Sequence, residues 1–121
     1  MNEIVDAEAE LKRLRDAIDR VDEVLVKLLN QRAKYAVEIG EIKGLLSLPI
    51  YAPEREKEVL QHVEGASAGP LEGSAVRRLF ERIIDESRRV EREASDGRRQ
   101  MADGRSTNDE SAIGHPPSAI E

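Results

Sequence analysis

Ten positions spaced alternately by three and four read Leu11, Leu14, Ile18, Val21, Leu25, Leu28, Arg32, Tyr35, Ile39 and Ile42. Nine of them can line the buried seam of a helix, and the seventh is an arginine. A guanidinium keeps its charge, and a buried charge is costly unless it is paired. Arg32 therefore calls for an anion, supplied by the chain or by a ligand. Lys43 lies eleven residues further on, rotated by about 20° and displaced by about 16 Å along an α-helix. Two long cationic side chains at that separation could both reach a small anion held between them. Arg15 lies seventeen residues before Arg32, roughly 25 Å along the same axis. Either it is an ordinary surface arginine, or an antiparallel second copy brings it beside Arg32.

A second polar interruption follows in the last apolar stretch. Ser87 sits on the stripe formed by Val76, Leu79, Phe80, Ile83, Ile84, Val90 and Ala94, and Glu91 shares its face one turn away. In the simplest reading Ser87 bonds back to its own helix and Glu91 pairs with Arg88 or Arg92 nearby. The run Glu54-Arg55-Glu56-Lys57-Glu58 reads, by the same default, as a solvated helix face. Other chemistry finds no support. His62 and His115 are not in metal-ligand spacing, no glycine-rich phosphate loop is present, and no histidine is placed to activate Ser87. Without cysteine there are no disulfides, no thiol nucleophile and no thiolate metal site. No cofactor and no metal are expected.

The elements that must position these groups are all helical. The heptad-like pattern predicts one long helix from about Glu8 to Gly44, some 55 Å in length, ended by Gly44 and Pro49. That is more apolar length than a single small core can cover, so a second copy is the natural way to bury the seam. Ser47 to Ala52 form a connector, and Pro53 suits the first position of a short second helix with Glu54 and Glu56 near its positive end. Val59, Leu60 and Val63 are its apolar residues. Gly65 to Pro70 is a loop, and a medium-length third helix runs from about Leu71 to Ala94. From Ser95 to Glu121 the apolar period is lost, which predicts a disordered polar tail beyond a domain of residues 1–94.

The 121-residue chain has a net charge of −6, 36% charged residues and only three aromatics, Tyr35, Tyr51 and Phe80. Acidic and basic residues are interleaved, with no basic stripe bearing stacking aromatics, so nucleic-acid binding is not expected. The acidic start Met1-Asn2-Glu3 and the lack of a long apolar run predict neither a signal peptide nor a membrane span. A cytoplasmic protein is the expectation. The residues themselves thus describe a dimeric all-α protein with a cationic pocket suited to a small dicarboxylate.

Several segments together resemble the all-helical chorismate mutase family. They are Arg15 before Ile18-Asp19-Arg20-Val21-Asp22, Leu28-Leu29-Asn30-Gln31-Arg32, Ile39-Gly40-Glu41-Ile42-Lys43, Pro53-Glu54-Arg55-Glu56, and Leu79-Phe80 through Ile83-Ile84-Asp85-Glu86-Ser87. The resemblance covers about residues 8–94. It implies an intertwined homodimer with two pockets, each completed by the other chain, and the rearrangement of chorismate to prephenate in phenylalanine and tyrosine biosynthesis. Arg32 and the partner copy's Arg15 would hold the two substrate carboxylates, and Lys43 would donate to the ether oxygen and to a carboxylate. Glu56 would accept from the ring hydroxyl, Arg55 would help order the pocket, and Ser87 would contact a carboxylate. Glu91 falls where many relatives have a glutamine that donates to the ether oxygen.

The reaction so implied is one pericyclic step, which needs positioning and a fixed cation at the breaking C–O bond, not a nucleophile. The chain departs from the family pattern at two positions. Ala52 replaces an aspartate that some relatives place near the ring hydroxyl, leaving that contact to backbone or to Glu56. Glu91 must carry a proton if it is to donate as glutamine does, which predicts activity rising toward acidic pH. Two rivals are the isochorismate-pyruvate lyase branch, which Ala52-Pro53-Glu54-Arg55 also resembles, and a non-catalytic helical dimerisation or regulatory module.

Overall fold

The computed structural model describes the backbone of residues 2–107, with the side chains of residues 2–98 and 100. These residues form three helices, α1 (Asn2–Leu46), α2 (Pro53–Ala66) and α3 (Gly73–Thr107), and no strand. The fold is all-α, as expected. Among the described residues no helix is long and apolar enough to cross a membrane. The chain divides after Lys34 into two units, and α1 contributes to both.

The first unit is α1 up to Lys34. Its large apolar residues are exposed in the single chain, with Leu14 at 46%, Ile18 at 57% and Leu25 at 50%. The charged side chains between them pair locally, as Lys12 does with Asp16 at 3.2 Å. Exposed pairs of this kind contribute only a few tenths of a kcal/mol. Helices in proteins owe most of their stability to a packed apolar face. Among the described residues this face stays exposed.

The second unit begins at Tyr35. Here Tyr35, Ile39 and Ile42 of the expected seam are also exposed in the single chain. The buried positions of α1 are instead Ala36, Gly40 and Gly44, one turn apart and without bulk. On Gly40, a Cβ would stand 2.8 Å from Glu91 Cα and 2.9 Å from Ala94 Cβ; on Gly44, it would stand 2.6 Å from the Ser95 carbonyl oxygen. Small residues at four-residue spacing let two helix backbones touch, and larger ones would hold them apart. Gly44 is therefore a packing residue and not the end of the helix.

The stop lies three residues further on. Ser47 takes a left-handed conformation, with φ at 57°. Leu48 N donates to Lys43 O at 2.8 Å and Ser47 N to Gly44 O at 3.4 Å. These two bonds form a Schellman end with serine in the place that glycine usually fills. The connector then reaches Ala52, the N-cap of α2, and Pro53 opens that helix as expected. Ala52 gives no side-chain cap; its carbonyl accepts from Glu56 N at 3.0 Å. α2 continues through Gly65 to Ala66, so the loop is shorter than the composition predicts.

α2 and α3 pack together; Val59, Leu60 and Val63 of α2 and Val76, Phe80, Ile83 and Ile84 of α3 are all half-buried or buried. Leu79, placed on the stripe by spacing, is exposed at 57%. A further correction concerns the end of α3. The helix does not stop at Ala94 but continues to Thr107. Ala94 and Ser95 are almost completely buried, because they lie beneath Gly40 and Gly44 of α1. Low apolar content hid this contact, which serine and glycine make with their backbones. The rest of the expected tail, residues 108–121, lies outside the described residues.

Candidate active site

Lys43 lies in the last turn of α1, held at both its backbone and its side chain. Its carbonyl accepts from Leu48 N in the Schellman turn, and its ammonium donates to Ile50 O at 2.9 Å. The same ammonium donates to Glu91 Oε1 of α3 at 2.7 Å. Both side chains are largely buried, at 17% and 15% exposure. A cation at the C-terminal end of a helix also meets the favourable end of its dipole. Glu91 thus pairs with neither Arg88 nor Arg92, its neighbours along α3. It pairs with the lysine that the Gly40 contact brings alongside.

Three residues before Glu91, Arg88 makes a second link between elements. Its Nε lies 2.8 Å from Glu56 Oε2 in the first turn of α2. That N–H is buried and does not point along a hydrogen-bond direction, so the contact is an ion pair held by charge and distance. Arg88 Nη2 also donates to Asp85 Oδ1 at 2.6 Å. The guanidinium carbon sits 5.8 Å from the centre of the Tyr51 ring, within cation–π range. Ile50 and Tyr51 are consecutive, so Lys43 and Arg88 hold the same connector from two sides. Sequence reasoning treats Arg88 only as a local partner of Glu91. The signal it misses is an arginine on the apolar stripe side of α3, one residue past Ser87.

Ser87 lies half-buried on the same α3 face and donates to Ile83 O at 3.0 Å, the back-bond that its place on the stripe predicts. Glu56 is half-buried, so the charged run 54–58 is not a uniformly solvated face. Arg55 is exposed and donates to Glu58 Oε1 at 3.4 Å, outside the cluster of Lys43, Glu56, Ser87, Arg88 and Glu91. In the first unit Arg15 is exposed and Arg32 is half-buried. The structure therefore brings Lys43, Glu56, Ser87 and Glu91 to one region of the second unit. Arg15 and Arg32 belong to the other unit.

A fixed ammonium, two carboxylates and a hydroxyl around a helix junction can orient a polar ligand and stabilise developing negative charge. They sit in an all-helical domain. The chain belongs to the chorismate mutase type II family, whose model matches residues 14–92. It is 56% identical over 54 residues to a bifunctional chorismate mutase/prephenate dehydratase of Aquifex aeolicus, covering 45% of this chain and 15% of that protein. The protein of the same name from Neisseria gonorrhoeae is 44% identical over 78 residues, covering 64% of this chain and 21% of that one. The chain thus spans about a fifth or less of the length of these curated relatives. A solved chorismate mutase (form II) from Thermus thermophilus superposes with a TM-score of 0.66 at 34% identity. That match covers 68% of this chain and 93% of the solved one.

Proposed function

We propose that this domain converts chorismate to prephenate, as a homodimer acting in aromatic amino acid biosynthesis in the cytoplasm. The observation that carries the reading is the fixed ammonium of Lys43, largely buried and tied to Ile50 O and Glu91. As the ether C–O bond of chorismate breaks, negative charge grows on its oxygen. A cation already oriented there lowers the barrier without moving, worth on the order of 10²–10³ in rate for one well-placed donor. Arg32, together with Arg15 supplied by the partner copy, holds the two carboxylates and selects the folded conformer, which is the positioning contribution. Glu56 accepts from the ring hydroxyl, Ser87 contacts a carboxylate, and Glu91 in its protonated form shares the ether oxygen with Lys43. Family membership and the exposed apolar face of residues 2–34 support the dimer.

Chorismate disappearance and product identity test the reading, comparing the unmodified protein with Lys43→Ala. The expected result is prephenate from the unmodified protein and a loss of at least about 10²-fold in kcat for the variant. Circular dichroism checks that the variant remains helical. Salicylate with pyruvate would assign lyase activity instead, and no turnover by the unmodified protein would remove the enzymatic reading.

A further inference from the structure

Arg88 has no part in the mechanism above, yet its ion pair with Glu56 ties the first turn of α2 to α3. Its guanidinium is held on two other sides, by Asp85 of its own helix and by the Tyr51 ring of the connector. It lies next to Ser87 and one turn before Glu91, on the face of α3 that meets Lys43. At the start of α2, Ala52 offers no polar side chain, so the orientation of Glu56 falls to whatever holds its carboxylate. Arg88 faces Oε2 at 2.8 Å, which leaves Oε1 for a ligand. The contact is close but out of line for a hydrogen bond. Site hydrogen bonds of this kind often align only when the ligand arrives.

We infer that Arg88 is a positioning residue for Glu56, aiming its carboxylate at the ring hydroxyl of the substrate and so setting how strongly that hydroxyl is recognised. This rests on the proposed mutase reading. A hydroxyl bound to a group held in place contributes more to discrimination than one bound to a mobile group, because an ill-placed partner leaves polar atoms unpaired. A surface ion pair of purely structural use would make no distinction between substrates with and without the hydroxyl.

The test compares kcat/KM for chorismate with that for its analogue lacking the ring hydroxyl, in the unmodified protein, Arg88→Ala, Arg88→Lys, Glu56→Gln and the double variant Arg88→Ala/Glu56→Gln. Arg88→Ala is expected to lower kcat/KM for chorismate about tenfold, within the usual coupling range of neighbouring residues, and for the analogue less than about twofold. Arg88→Lys is expected to recover part of the loss, and Arg88→Ala is expected to cost less than about twofold once Glu56 is glutamine. Equal losses with both substrates, or additive losses in the double variant, would overturn the inference. Should circular dichroism show Arg88→Ala unfolded, the same comparisons are made with Arg88→Lys, singly and with Glu56→Gln. No chorismate turnover by the unmodified protein would overturn the mutase reading and this inference with it. Turnover that is indifferent to the Arg88–Glu56 pair would overturn this inference alone.

Discussion

Gly40 of α1 lies against the backbone of Glu91 in α3, so that a Cβ on its α-carbon would collide with the Glu91 carbonyl oxygen. Lys43 follows three residues later, and its ammonium meets the Glu91 side chain at 2.7 Å. The absence of a side chain at one position therefore places the charged side chain of another. Gly44 repeats the contact one turn on, against Ser95.

Gly40→Ala must push the two backbones apart, because the colliding atom is backbone and cannot swing away. Over-packing of this kind costs about 1–3 kcal/mol, which for a domain of this size lowers Tm by about 5–20 °C. Mutase activity should fall further than stability, since the shift moves Lys43 relative to Glu91. A Tm within about 2 °C of the unmodified protein would show that the contact yields at little cost.

The Gly40 contact also shows what the sequence could and could not reveal. The pattern Ala36, Gly40, Gly44 stands in plain view at four-residue spacing, but apolar periodicity weighs bulk and passes over small residues. The periodicity found the helices and marked a face that the single chain leaves exposed, while the contact within the chain is made by the small residues. The large residues from Leu11 to Ile42 are exposed there, as a surface reserved for another molecule would be. Ser95 is buried because Gly44 of α1 comes close enough to need nothing larger, so composition marked the end of α3 too early. The resemblance pointed to Lys43, Glu56, Ser87 and Glu91 as candidate site residues. The Arg88–Glu56 pair was not, because it joins residues 32 apart in the chain, and no helical period relates them.

Ser47 ends α1 with φ at 57°, a conformation that costs a residue with a Cβ about 1 kcal/mol or more. Glycine there removes that strain but gives up some order in the unfolded chain. Ser47→Gly is expected to raise stability by about 0.5 kcal/mol, and Ser47→Val to lower it by about 1 kcal/mol or more. Urea unfolding measures both. The opposite order of the two variants would mean that α1 does not end in a left-handed turn.

If a second copy covers the exposed face of residues 2–34, a charge placed on that face should separate the copies. Ile18→Glu puts a carboxylate at a position 57% exposed in the single chain, where a monomeric helix would tolerate it. Sedimentation should give twice 13.5 kDa for the unmodified protein and close to the single-chain mass for the variant, with a concurrent loss of helical signal as the unsupported part of α1 frays. A monomer before substitution, with undiminished helicity, would argue that residues 2–34 stand without a partner. Mutase activity should fall with dimerisation, because the proposed site takes Arg15 from the other copy.

Glu91 accepts from Lys43 in the structure, and the proposed mechanism asks it to donate to the substrate ether oxygen. An ionised carboxyl has no hydrogen to give, and Lys43 is the charged group that faces Glu91 from α1. A glutamine at position 91 donates at every pH. Glu91→Gln should raise the rate about tenfold or more, within what one donor at a developing oxyanion contributes. It should leave the helical signal unchanged, since an amide can still accept from Lys43. Initial rates of prephenate formation by the two proteins decide the matter. Equal rates would mean that position 91 gives no bond to the ether oxygen, and that Lys43 alone meets it.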